Sequence, residues 1–227
     1  MITVITCTNR NAMMENIFYN YSIQTMKNKE LIIILNNDDM DLNVWKNKAK
    51  KYPSVFIYQM PARMMVSDCK NYAIQKAKYN HIAKFDDDDY YAPSYLQSAW
   101  ITFSNHHEAD IVGKSSVFYY FQERKLLCLS PSLRENTWTD NVTDSTLVFK
   151  KDIFNHVCFR KQKVGSDKRF QRDCKVMGYN IFSTDRYNHA VIRRKNENHT
   201  WKISEQRFIN MCSYVIYTDN YQSIVRV

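Results

Sequence analysis

The chain has 227 residues, of which 44% are hydrophobic and 14% aromatic, and it carries a formal net charge of +9. This composition excludes a disordered or collagen-like chain, and the length is enough to bury a substantial core, with one domain over residues 1–227 as the expectation. A basic surface favours anionic partners such as nucleic acid, phosphorylated small molecules or an anionic membrane, although a solvated basic face alone accounts for the charge.

No apolar run is long enough to span a bilayer, and the start MITVITCTNR lacks the basic and long apolar stretches of a signal peptide. The expected location is therefore the cytoplasm, with peripheral association at the inner face of the membrane allowed by the charge. Six scattered cysteines without a C-x-x-C pair argue against a zinc site and against a disulfide framework.

In chain order, Ile2–Cys7 is a short β-rich run. From Asn11 the pattern turns helical, with Met13, Met14, Ile17, Phe18 and Tyr21 on one face. Leu31–Leu35 is continuously apolar, as suits a parallel strand covered on both faces. A polar helix is expected over Leu42–Lys51 and a strand over Ser54–Tyr58. Ser67 is placed to cap a helix whose Cys69, Ala73 and Ala77 share a face. His81–Phe85 is a strand running into Asp86, Asp87, Asp88 and Asp89. After Pro93, Ser94 is placed to cap a helix with Leu96, Ala99, Trp100 and Phe103 on its apolar side.

Repeated strand–helix alternation predicts an α/β fold with a mainly parallel sheet. The second half reads differently. Asp110–Phe121 and Lys125–Ser130 look antiparallel, Ser145–Phe154 reads as strand then short helix, and Asp167–Met177 as a helix with Phe170, Cys174 and Met177 on one side. Only three glycines are present, so turns such as LNNDD and AKYNH are expected to use asparagine in left-handed backbone.

The four aspartates raise the functional question. Ligands of open α/β sheets bind outside the carboxyl ends of the strands, where this cluster sits. Hard divalent cations take carboxylate oxygens, and Mg²⁺ is held by one or two carboxylates with substrate phosphates completing its shell. A metal there relieves the repulsion among the carboxylates, which a merely solvated acidic turn at the end of an apolar strand does not.

HIAKFDDDDYYAPSYL resembles the acidic motif of family 2 glycosyltransferases, in which a strand ends in a D-x-D or D-D-D signature followed by a proline and a helix. Other segments are similar in the same order. ITVITCTNR resembles the opening strand and nucleotide loop, ELIIILNNDD the second strand and its acidic loop, and SDCKNYAIQKAKYN the helix before the acidic strand. VGSDKRFQRDCKVMGY resembles the later G-E-D-x-x-F segment, and RRKNENHTWK a terminal Arg/His segment. The family's usual glycines are replaced here, as in NNDD and NYAI; Lys70 stands where arginine is common and Ser166 where glutamate is usual.

The resemblance implies a GT-A fold: a Rossmann-like nucleotide half over about 1–105, a mixed and partly antiparallel acceptor half over about 106–205, and a tail over 206–227. It implies an inverting, metal-dependent transfer from a nucleotide sugar to a glycan or other hydroxyl acceptor, in surface polysaccharide or glycoconjugate synthesis of the kind the family performs in bacteria. It implies Mn²⁺ or Mg²⁺ on Asp88, with Asp86 second and also a ribose contact. Asp167 is implied as the base that takes the acceptor proton, although its place at a helix start also suits a first-turn residue. Donor contacts fall to Thr6, Asn9 and Arg10, to Asp38 and Asp39, to Lys70, Asp86 and Asp87, and to Arg194 and His199 at the diphosphate. Trp201 is either a cover over sugar or base, or core.

Three rivals stand beside this reading. A nucleic-acid-binding protein fits the charge, but four aspartates repel phosphates without a metal and no recognition motif is present, so no nucleic-acid partner is expected. A nucleotidyltransferase usually opens with a Gly-rich phosphate loop, which CTNRNAMM lacks. A catalytically inactive GT-A domain fits the lost glycines but not the retained carboxylates.

Overall fold

The computed structural model describes residues 1–131, 134–162, 164–194 and 205–227, with residue 205 described by its backbone alone. The strands are β1 (Ile2–Thr8), β2 (Lys29–Leu35), β3 (Val55–Gln59), β4 (His81–Lys84), β5 (Tyr90–Tyr91), β6 (Ile111–Gly113) and β7 (Phe118–Phe121). They continue with β8 (Leu126–Leu129), β9 (Thr137–Thr139), β10 (Val148–Lys150), β11 (Ile181–Ser183), β12 (His189–Arg193) and β13 (Tyr214–Tyr217). The helices are α1 (Met14–Ser22), α2 (Leu42–Ala49), α3 (Val66–Lys76), α4 (Tyr95–Asn105), α5 (Ser166–Val176), α6 (Glu205–Met211) and α7 (Gln222–Val225).

Among the described residues the strands form two sheets. The larger has the order β3-β2-β1-β4-β10-β6-β11-β9 and the smaller β13-β8-β7-β12-β5. β3, β2, β1 and β4 run parallel, and β10 enters antiparallel to β4. The alternating side chains of β2 explain its unbroken apolar run. Leu31, Ile33 and Leu35 pack beneath α1, α2 and α4 together with Phe18, Trp45 and Leu96. Ile32 and Ile34 pack on the opposite face, with Cys69 and Ala73 of α3 and Phe170 and Cys174 of α5. Both faces are covered, as a central parallel strand requires.

Several local expectations are corrected. Asp110–Phe121 is not one β-segment: β6 belongs to the large sheet, while β7 pairs with β8 and β12 in the small one. Ser67 does not cap α3, which already begins at Val66; Asp68 instead reaches back to accept from Met65 N at 3.2 Å. Ser94 holds the N-cap position of α4 without a side-chain capping bond. Met177 is 54% exposed rather than packed beside Phe170. The left-handed asparagines are Asn136 and Asn188, not those of LNNDD or AKYNH. The LNNDD turn closes instead by Asn37 Oδ1 accepting from Asp39 N at 2.9 Å, a side chain mimicking a backbone turn. All six cysteines are free thiols. Among the described residues no helix is long and apolar enough to cross a membrane.

The stretch after Met211 is part of the small sheet. β13 pairs antiparallel with β8, Val225 is fully buried, and Tyr221 stacks on Tyr120 at 4.2 Å.

Candidate active site

The carboxyl ends of β1 and β4 open into a cleft of about 830 Å³. Its lining includes Asn9, Arg10, Lys70, Asp86, Asp88 and Asp167. Residues from both halves of the sequence therefore meet at the place where open α/β sheets bind ligands.

The acidic loop is held from beneath by α1. Asn16 Nδ2 donates to Asp87 O at 2.7 Å and to Asp89 O at 3.0 Å, and Asn20 Nδ2 donates to Asp89 O at 2.8 Å. Gln24, just past the helix, donates to Tyr91 O and Ala92 O. These amides stand four residues apart, so they present one polar stripe to the loop. Tyr91 stacks on Phe85 with centroids 3.7 Å apart, and its hydroxyl accepts from Asp86 N at 2.8 Å.

The four aspartates alternate in environment. Asp87 and Asp89 are buried, whereas the side chains of Asp86 and Asp88 are 35% and 21% exposed. Asp87 accepts from the Thr8 hydroxyl at 2.5 Å and pairs with the Arg10 guanidinium. Burial still raises its carboxyl above the ordinary range, against the pull of Arg10. Asp89 accepts from Ile192 N at 3.0 Å, and burial followed by repulsion from Asp88 and Asp86 raises it strongly. Two carboxyls thus tie the loop to β1 and β12, and two face the cleft.

Asp88 pairs with Arg10 at 2.9 Å, and its carbonyl accepts from Arg194 Nη1 at 2.8 Å. Asp86 pairs with Lys84 at 2.8 Å. Among the described residues no group of three or more His, Cys, Asp or Glu side chains is arranged to hold a metal. Two accessible carboxylates at a cleft do fit an ion whose remaining ligands come from a diphosphate and water.

Asp167 lies in the first turn of α5, after Gly165 at φ +80°. A glycine adopts that left-handed conformation without a Cβ clash and turns the helix start into the cleft. The carboxylate takes Lys70 Nζ at 2.6 Å and lies 3.7 Å from Lys84 Nζ. Burial acts to raise it, but Lys84 and Lys70 together hold it below the usual carboxylate range. Asp144, also in the cleft, is raised to about 6 by burial and then by the charge of Asp167.

Of the residues named from sequence, the structure brings Asn9, Arg10, Lys70, Asp86, Asp87, Asp88 and Asp167 together at the cleft. Arg10 and Asp87 are engaged with one another there. Thr6 is buried in β1 and does not line the cleft. Asp38 and Asp39 also lie off it; Asp38 accepts from Ala62 N at 3.3 Å, while the neighbouring Asn36 does line the cleft. Arg194 reaches the acidic loop through a backbone carbonyl, and His199 and Trp201 lie outside the described residues.

Sequence reasoning passed over Thr8, Lys84 and Asp144. Lys84 had a readable signal, since a lysine inside a short apolar strand needs a buried partner. Asp144 had none, because nothing local marks it.

The sequence matches the family described as Glycosyl transferase family 2 over residues 3–170. No curated protein matches it significantly. Among solved structures it is similar to S. aureus TarS 1–349 in complex with UDP-GlcNAc, at 16% identity and a TM-score of 0.66, covering 92% of this chain and 64% of that one. It is also similar to mannosyltransferase PcManGT from Pyrobaculum calidifontis in complex with GDP-Man and Mn²⁺, at 17% identity and a TM-score of 0.63, covering 85% of this chain and 56% of that one. The chain spans 60% to 64% of the length of the TarS 1–349 chains. At these identities the likeness shows the fold, a mixed α/β arrangement of the GT-A type with a large, mostly parallel sheet.

Proposed function

The chain belongs to glycosyl transferase family 2, and we propose that its cleft moves a sugar from a nucleoside-diphosphate donor to an acceptor hydroxyl with inversion at the anomeric carbon. The observation that carries this reading is the meeting of the partly exposed Asp86 and Asp88 with Asp167 in one cleft, since the chemistry needs a site for the leaving diphosphate and a separate proton acceptor.

Asp88 and Asp86 would hold Mn²⁺ or Mg²⁺. When bound, such an ion supplies positive charge to the leaving diphosphate. Arg10, already on Asp88, is placed to share that anion, and Lys70 reaches the cleft from α3. Asp167 receives the proton of the acceptor hydroxyl as its oxygen attacks the anomeric carbon and the bond from that carbon to the diphosphate breaks. The two lysines keep this carboxylate ionised at neutral pH, so it is always in the accepting form.

The same pairing favours a second reading, a GT-A domain that binds a nucleotide sugar without transfer, because a carboxylate held by two ammonium groups is a weaker base. A thermal-shift screen of UDP, GDP, dTDP and CDP, each with and without Mn²⁺, tests the shared premise of both. A ligand at a hundred times its Kd stabilises the native state by about 2.7 kcal/mol. Stabilisation by one nucleotide only with metal is expected; no response from a folded sample sinks both readings. Release of the nucleotide on adding an acceptor then separates the transferase from the binding protein.

A further inference from the structure

We propose that Lys84 is a positioning residue that locks the donor-side carboxylate Asp86 and the acceptor-side carboxylate Asp167 into one rigid unit, an inference that rests on the nucleotide-sugar reading of the cleft. Lys84 ends β4, two residues before Asp86, and is 7% exposed. Its ammonium pairs with Asp86 Oδ1 at 2.8 Å, donates to Asp144 O at 3.0 Å and lies 3.7 Å from Asp167 Oδ1. These acceptors belong to three separate parts of the chain: the loop after β4, the short 3-10 turn Asp144–Thr146 that leads into β10, and the first turn of α5.

An ammonium group has three donors. Two are committed at hydrogen-bond distance, and the third neighbour is Asp167, so the group has a fixed orientation. Lys70, the other buried lysine of the cleft, reaches Asp167 and the Ser166 hydroxyl but neither Asp86 nor Asp144 by any described bond. Lys84 alone among the described lysines therefore contacts the carboxylates on both sides.

Replacing a whole buried ion pair by apolar side chains is often neutral, whereas removing one partner strands the other charge, so Lys84→Met is expected to lower stability without unfolding the protein. Lys84→Met keeps the length of the stem and removes the charge. If the lysine served packing alone, the variant would fold and bind nucleotide as the parent does. If it locks the two carboxylates, the variant folds but the sides become independent.

The experiment is a double-mutant cycle over Lys84→Met and Asp167→Asn, read as the affinity of UDP and of GDP in the presence of Mn²⁺ by calorimetry. A coupling of at least about threefold in Kd is expected, with the effect of Asp167→Asn confined to the Lys84 background. Thermal melts confirm folding, and Lys84→Arg provides a second variant that retains charge but not the geometry and is expected to fall short of the parent. In the same proteins without nucleotide, the ¹³C-carboxyl titration of Asp167, assigned from Asp167→Asn, is expected to move to higher pH in Lys84→Met. Additive nucleotide affinities, or an Asp167 titration unmoved in Lys84→Met, would overturn the proposal. The nucleotide-free titration needs no donor, so failure of the parent to bind UDP or GDP indicts the donor reading, whereas an unmoved titration indicts the Lys84 link itself.

Discussion

The Tyr91 hydroxyl joins two walls of the cleft, accepting from Asp86 N at 2.8 Å and donating to Ser145 O at 2.7 Å. Tyr91→Phe removes both bonds and leaves a buried N–H and a buried carbonyl short of partners. The expected loss is about 1–3 kcal/mol of stability, measured by urea unfolding, together with weaker nucleotide binding. Unchanged stability would show that the acidic loop does not depend on this bridge.

Asp88→Ala removes the carboxylate that pairs with Arg10 and that is proposed to hold the metal. Arg10 retains Asp87, so the loop keeps its anchor to β1 and the fold should survive. The expected result is loss of the Mn²⁺-dependent part of nucleotide stabilisation in a thermal-shift assay, with the metal-free melt altered little. A variant that still responds to Mn²⁺ would assign the metal to other side chains.

Asp167→Asn keeps the size of the side chain and removes the proposed proton acceptor. Transfer should fall by about 10²–10⁴-fold, whereas nucleotide affinity should change only by the few-fold that the Lys84 link carries, because the proposed diphosphate site is at Asp86 and Asp88. Single-turnover measurements with saturating donor check the split. Full activity in this variant would remove Asp167 from the base role.

Asp144 gives a pH signature. Its carboxyl is raised to about 6, against an unfolded value near 4. Between those values the folded protein holds a proton that the unfolded chain has released. This group's contribution therefore makes stability rise as pH falls from 7 toward 4, and costs stability above 6. Asp144→Asn removes the penalty and should stabilise the protein at pH 7 by on the order of 1–2 kcal/mol while flattening the slope over that window. Destabilisation at pH 7 with an unchanged slope would refute the assignment.

Ser67 offers a test away from the chemistry. Its hydroxyl is buried inside α3 with no hydrogen-bond partner among the described residues. Ser67→Ala removes an unsatisfied polar group and installs a better helix former, so a gain of about 1 kcal/mol is expected in thermal or denaturant unfolding.

Much of this was legible in the sequence because the signals were local. The unbroken run Leu31–Leu35 requires cover on both faces, and the face Ile17, Phe18 and Tyr21 repeats at helical spacing. Four adjacent aspartates at a strand end mark a site on their own. What escaped depends on long-range pairing. Nothing near Asp144 reveals that it will face Asp167, and nothing in Asn16, Asn20 and Gln24 shows that their amides will hold a loop some seventy residues away, at separations that only the folded chain closes. Ser67 reads as a cap because capping residues are common at helix starts, while Asp68 beside it makes the actual bond. Thr6 shares a face of β1 with Thr8 but lies two residues further from the strand end, where the sheet is covered, and Asp38 turns to the Ala62 amide; neither placement is marked along its own segment.

The family match ends at residue 170, yet the small sheet crosses that boundary. Ile192 N holds Asp89, Arg194 holds the carbonyl of Asp88, and the final residues hold β12 in place through Asn188, whose N–H donates to Val225 O at 2.7 Å. The acidic loop inside the matched segment is thus clamped by residues beyond it. A change of sequence in that later stretch reaches the backbone of Asp88 and the carboxylate of Asp89 through two hydrogen bonds, so the shape of the acidic loop cannot vary independently of residues a hundred positions away.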